Sequence, residues 1–309
     1  MNREIRNNRK EYKTWKKGYY HLCTDGWKNG LLFNSVEQFI IGTILLGIIT
    51  IRFGVKVYCY ALMPNHIHII LSGTGEVCVK VFDYLSEKIN SKLKKDGYPQ
   101  LPEDYSFKLI PIEDEEQMRN NCIYVIRNAF EKGLSVPGGY PWSSGWFYFS
   151  EIGRMIRGTK VKDINKTKIY EMTGRNTVLP EEWEIHPEFG LLPRFIISEK
   201  LIIKLFRTAK EYESSLVKDY EGFINVARNL DEAPDLSEQE RKSIAKTLAS
   251  QMFRGKPLRE LSNEERAKLS PCLHFDYSFT PEQIADVLRM EERIVKQILN
   301  SKDYGRRNR

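Results

Sequence analysis

The stretch Val57-Lys-Val-Tyr-Cys-Tyr-Ala-Leu-Met-Pro-Asn-His66-Ile-His68-Ile-Ile-Leu71 decides how this chain is read. Two apolar runs, 55–63 and 66–72, meet at Met63-Pro64-Asn65, where Pro fixes φ and Asn accepts tight-turn geometry, so the stretch predicts two strands joined by a corner. Side chains alternate faces along a strand, which puts His66, His68 and Ile70 on one face and Ile67, Ile69 and Leu71 on the other. Two neighbouring imidazoles suit a divalent metal with positions left for substrate, provided that a third ligand joins them. Without one, they are two histidines hydrogen-bonded to their neighbours.

Outward from this hairpin, the pattern predicts a short strand at Tyr19–Cys23, with turn signals at Asp25-Gly26 and Asn29-Gly30. A helix follows from Val36 to Arg52, capped by Asn34 or Ser35 and stopped by Gly54. Its apolar run Phe39–Ile51 is shorter than the roughly 20 residues of a membrane span and is expected to be buried. Beyond the hairpin come a helix from Val77 to Lys95, closed by Gly97, then a strand at Phe107–Ile112 and a helix from Glu115 to Lys132 stopped by Gly133. The order β-α-β-β-α-β-α predicts an α+β fold, an antiparallel sheet with helices packed on one face.

The last helix carries Tyr124 and Asn128 four residues apart, hence on one side, with Ile123, Ile126 and Phe130 able to face the core. A phenol can act as a nucleophile, but with a pKa near 10 it gains from a neighbouring charge. A tyrosine on an amphipathic helix is by itself usually a core or rim residue.

Met63-Pro-Asn-His-Ile-His-Ile-Ile-Leu71 resembles the metal strand of the HUH single-tyrosine nucleases, and within them the REP-associated tyrosine transposases, whose pattern is Met-Pro-Asn-His-hydrophobic-His-hydrophobic. Tyr124-Val-Ile-Arg-Asn-Ala-Phe-Glu-Lys-Gly-Leu134 resembles that family's Tyr-Ile-x-x-Asn-Pro-Val-x-Ala-Gly-Leu, with Ala129 where the family has Pro. Gly139-Tyr-Pro-Trp-Ser-Ser-Gly145 resembles its Tyr-x-Trp-Ser-Ser run. The resemblance covers residues 18–150 and implies an HUH, ferredoxin-like catalytic domain. It further implies Tyr124 as nucleophile, His66, His68 and Asn128 as metal ligands, and Mg²⁺ or Mn²⁺ as cofactor, imidazole being better matched to Mn²⁺. The expected activity is single-stranded DNA cleavage and strand transfer through a 5′-phosphotyrosine intermediate, near a hairpin. The alternatives are a non-catalytic DNA-hairpin-binding protein or regulator, and a phosphodiesterase that uses water. The resemblance leaves monomer and homodimer open.

The rest of the chain is less patterned. Its 309 residues suggest two or three units, and a formal charge of +7 favours a polyanionic partner. Five dispersed cysteines (23, 59, 78, 122, 272) read as reduced thiols in a cytoplasmic protein, with no membrane partner expected. Residues 1–17 form a basic arm and 151–197 a basic linker holding Arg154, Arg157, Lys160, Lys162 and Arg175, which with Arg127 are candidate DNA contacts. Residues 198–309 read as helical, with helices expected in 198–229 and 236–253. Thr280-Pro281 opens a helix-turn-helix pattern over 280–299, in which Arg289, Arg293 and Lys296 face a potential phosphate backbone and Glu291 and Glu292 oppose it. The tail Arg306–Arg309 is expected to fray.

Overall fold

The structure is a computed structural model that describes residues 3–24, 26, 30–174, 177–218, 220–230, 236 and 238–301. Asp25, Asn29, Arg175 and the tail Arg306–Arg309 lie outside the described residues. The chain forms two compact units, Met1–Asp219 and Tyr220–Arg309.

In the first unit the order is α1 (Arg3–Tyr12), β1 (Gly18–Thr24), α2 (Val36–Phe53), β2 (Lys56–Leu62), β3 (Ile67–Gly73), α3 (Gly75–Lys95), β4 (Phe107–Ile112) and α4 (Glu115–Glu131). The strands form one antiparallel sheet in the order β2-β3-β1-β4, the split βαβ arrangement in which β3 and β1 are central. The α+β class and antiparallel sheet are as the sequence predicts. Local chemistry sets the helix ends: Ser35 accepts from the Gln38 N–H at the start of α2, and Gly54 ends it at φ +64°, in the left-handed region.

The register fixes two unlike faces. Leu22, Ile67, Ile69 and Leu71 share one, and α2 and α3 cover it: Leu62 meets α2 at Gly42, and Phe82 of α3 stacks on Phe107 of β4 at 4.3 Å. The expected packing of helices on one face holds for this pair. By contrast, α4 takes the opposite face, beside His21, Cys23, Cys59 and His68, because its inward stripe carries polar side chains that match the imidazoles rather than the apolar side. Helix α2 spans 18 residues, longer than the expected apolar run, and is long and apolar enough for a membrane span. Here it packs on the sheet, with Ile44, Leu46 and Ile49 buried.

The basic arm is not free. As α1 it lies along α3, where Arg9 pairs with Asp83 and the buried Tyr12 ring packs on Phe107. Gly75 permits that approach, since a Cβ there would fall 1.8 Å from the Tyr12 carbonyl oxygen. The edge of β2 is covered at both ends, a common protection of exposed strands. Leu62 N–H donates to the Trp142 carbonyl at 2.9 Å and Ser144 N–H to the Tyr60 carbonyl at 3.0 Å, while Ser198 N–H reaches the Val57 carbonyl at 2.7 Å. The Tyr-x-Trp-Ser-Ser run is therefore an edge-strand clasp.

Between these contacts lie α5 (Glu151–Met155), β5 (Thr159–Lys160), α6 (Lys166–Thr173), β6 (Glu184–His186) and β7 (Gly190–Leu191), the three strands forming a small second sheet. Then α7 (Glu199–Phe206) and α8 (Ala209–Lys218) back α4 from outside: Arg119 reaches Glu211 at 2.8 Å and lies over the Phe206 ring.

The second unit holds α9 (Tyr220–Asn229), α10 (Glu238–Met252), α11 (Asn263–Phe275), α12 (Pro281–Leu288) and α13 (Glu292–Asn300). Thr280 and Gln283 form a capping box, and Arg289 turns the chain at φ +53° between α12 and α13. Ile284, Leu288 and Val295 are buried with Leu269 and Leu273 of α11. Ile294 is 39% exposed, because it precedes Val295 by one position and so points away from it.

Candidate metal and phosphoryl-transfer site

The site lies between the α4 side of the sheet and α4 itself. His66 closes the hairpin corner, where its carbonyl accepts from the Met63 N–H at 2.9 Å, and His68 follows two residues later on the same face. On α4, Asn121, Tyr124 and Asn128 follow the i, i+3, i+7 spacing and form one stripe towards the sheet. The elements meet as the alternation of β3 and the spacing on α4 require. The His66 and His68 ring centroids are 4.7 Å apart, the Tyr124 ring lies 5.5 Å from His68, and His66 Nε2 lies 3.2 Å from Asn128 Oδ1.

A third imidazole, absent from the sequence expectations, completes the cluster. His21 of β1 sits two residues before Cys23, which pairs with His68 in the register. Its Nε2 is 3.1 Å from His68 Nδ1 and its Nδ1 is 2.8 Å from Asn121 Oδ1. Both ring nitrogens of His21 are thus engaged in hydrogen bonds, so that although its ring lies 6.0 Å from that of Tyr124, His66 and His68 are the imidazoles with a nitrogen left for the site.

These side chains are between 0 and 7% exposed: His21 and His68 at 0%, Tyr124 at 1%, Asn128 at 4% and His66 at 7%. Burial, reinforced by the neighbouring His66 and His21 rings, holds the His68 pKa well below the usual histidine range, so its ring is neutral at neutral pH. The expectation of positions left for substrate is not met in this form, because α4 seals the cluster from solvent. Arg127, expected at the DNA, is fully buried as well, since it follows Tyr124 by three positions and shares its sheltered side.

The donor atoms fit a cation. His68 Nε2 is buried without a hydrogen-bond partner among the described residues, an orphan acceptor of the kind that native interiors rarely keep. His66 Nδ1 lies 2.8 Å from Asn65 Oδ1. His66 Nε2 and Asn128 Oδ1 converge at 3.2 Å, and with the His66 proton on Nδ1 both could serve as donor atoms to a cation. Among the described residues no group of three or more His, Cys, Asp or Glu side chains is set to hold a metal. The donor set is therefore two imidazoles and one amide.

The remaining candidate DNA contacts are dispersed and mostly paired. Lys160 and Lys162 share Glu182, Arg154 lies 3.6 Å from Glu199, and Arg157 donates to the Arg154 and Ile156 carbonyls. In the second unit Lys296 pairs with Glu292 at 2.7 Å and Arg293 lies 3.9 Å from Glu291, while Arg289 is the left-handed cap of α12.

No protein-family profile matches the chain, and no curated protein matches it. Among solved structures, a REP-associated tyrosine transposase bound to a REP hairpin is similar over 42% of this chain and 78% of that one, at 13% identity and a TM-score of 0.35.

Proposed function

We propose that this protein is a metal-dependent, single-tyrosine DNA nuclease and strand transferase acting on single-stranded DNA near a hairpin. The observation that carries this reading is the meeting of Tyr124, His66, His68 and Asn128, drawn from a hairpin and a helix that lie about 60 residues apart in sequence, in the arrangement that the sequence motifs imply. Mg²⁺ or Mn²⁺ bound by His66, His68 and Asn128 would polarise a scissile phosphate and offset its charge. The Tyr124 oxygen attacks phosphorus, a P–O bond to tyrosine forms, and the P–O3′ bond breaks. The leaving 3′ oxygen takes up a proton as the phenol gives one up. A 3′-hydroxyl reverses the step on rejoining, so the number of phosphodiester links is conserved.

Because Tyr124 is 1% exposed, DNA reaches it only after α4 shifts relative to β3. The buried form is thus a resting state in this reading. The same burial favours a second reading, a non-catalytic DNA-hairpin-binding protein in which the cluster stays closed. Incubation of the protein with hairpin-bearing single-stranded DNA and Mn²⁺ separates the two. A nuclease gives a denaturation-resistant adduct that Tyr124→Phe abolishes while hairpin affinity stays within a few fold. Binding with no adduct under either metal selects the second reading.

A further inference from the structure

We propose that Asn121 and His21 are positioning residues that set the tautomer of His68, so that its Nε2 presents a bare lone pair to the site. This rests on the metal-dependent reading above and deepens it. The chain of donors can be followed from a fixed end. Asn121 Nδ2 donates to the Gln117 carbonyl at 2.8 Å, within α4. A carbonyl only accepts, so the amide nitrogen must point there and Oδ1 must point to His21. At 2.8 Å that oxygen requires the proton of His21 on Nδ1. His21 Nε2 is then an acceptor, and at 3.1 Å it takes the proton of His68 Nδ1. One proton remains on the neutral His68 ring and it is spent there, which leaves Nε2 unprotonated.

The opposite polarity would place a second proton on His21, an imidazolium at a fully buried position, which is the costlier arrangement. The relay also explains why a polar pair is buried beneath the sheet at all. Outer-shell groups that bind the far nitrogen of a ligand histidine fix its ring orientation and strengthen its basicity, and their loss costs about 10–100-fold in metal affinity. Here the outer shell is itself an imidazole, braced by an amide on the helix that carries Tyr124 and Asn128. The relay therefore ties the lone pair of a strand residue to the placement of α4.

The test uses the metal-free full chain labelled with ring-¹⁵N histidine. The sequence has only five histidines, so the His68 signals are assigned by His68→Gln. The expected spectrum shows His68 protonated at Nδ1 and bare at Nε2. Asn121→Leu releases His21 to reverse its polarity and is expected to move the His68 proton onto Nε2 and to weaken Mn²⁺ binding by calorimetry about 10–100-fold. Asn121→Asp keeps the acceptor oxygen and is expected to retain both the tautomer and an affinity within a few fold.

A wild-type His68 protonated at Nε2 overturns the relay, and that reading needs no variant to fold. An unchanged tautomer and affinity in a folded Asn121→Leu protein overturn it too. If the wild-type tautomer is as stated and shifts in Asn121→Leu, yet Mn²⁺ binds neither protein, the relay stands and the metal-dependent function falls.

Discussion

The two faces of the four-stranded sheet are built by alternate residues of the same strands and do opposite things. Towards α2 and α3 the strands present Leu22, Ile67, Ile69 and Leu71, all 0–2% exposed, and this side supplies the apolar burial that drives folding. Towards α4 they present His21 and His68 beside Ile70, Cys23 and Cys59, with Asn121, Arg127 and Asn128 contributed by the helix, all 0–6% exposed. Burial of polar groups gives little net stability even when each is bonded, and His68 Nε2 is not. A sheet that spends one face on such a cluster is using the other to hold it in place.

The largest expected effects break this comparison by function and stability in opposite senses. Replacing both imidazoles of the relay by leucine (His21→Leu with His68→Leu) is expected to abolish Mn²⁺ binding and adduct formation. Its stability change in urea is expected within about 1–3 kcal/mol, because His21 and His68 are removed together and only the Asn121 oxygen loses its donor. On the other face, Ile69→Ala is expected to cost about 2–5 kcal/mol while leaving adduct yield per folded molecule unchanged. Equal losses of stability from both faces would contradict the division.

A smaller effect appears with pH. The folded pKa of His68 lies below its unfolded value of about 6.5, so the unfolded chain takes up a proton that the folded chain refuses. Stability of the metal-free protein is therefore unaffected by this group above about pH 6.5 and falls as pH drops below it, by up to about 1.4 kcal/mol per pH unit. Denaturation curves at pH 7.5 and 5.5 check this, and in the double leucine variant the His68 share of the difference should vanish.

The smallest effect concerns the second unit. Lys296→Ala on α13 removes a cation already paired with Glu292, so any phosphate contact it makes is partly compensated. Hairpin affinity is expected to fall only a few fold, with the salt dependence reduced by about one unit of slope. No change in slope would mean that Lys296 makes no phosphate contact.

Much of the site was legible before the fold. The period of two along residues 66–71 and the four-residue step from Tyr124 to Asn128 are local patterns, and local patterns survive folding. His21 was not legible. A single histidine in a short strand carries no period, and its partnership with His68 exists only through the β1–β3 register. Asn121 was the nearer clue, three residues before Tyr124 on the same stripe, but an amide on a helix signals nothing until an acceptor or donor is known to face it. Helix α11 escaped for another reason: Pro271 lies inside it and interrupts the reading of a continuous helix. The burial of Tyr124 and Arg127 was equally hidden, because the spacing shows that side chains share a side and not what covers it.

The central claim, that Tyr124 is the nucleophile, is tested most directly by mass spectrometry of the covalent species formed from hairpin DNA and Mn²⁺, followed by digestion to peptides. The account predicts a single modified peptide carrying a nucleotide through its 5′ phosphate on Tyr124. Cleaved DNA with an unmodified Tyr124, or the nucleotide attached to another residue, would contradict it.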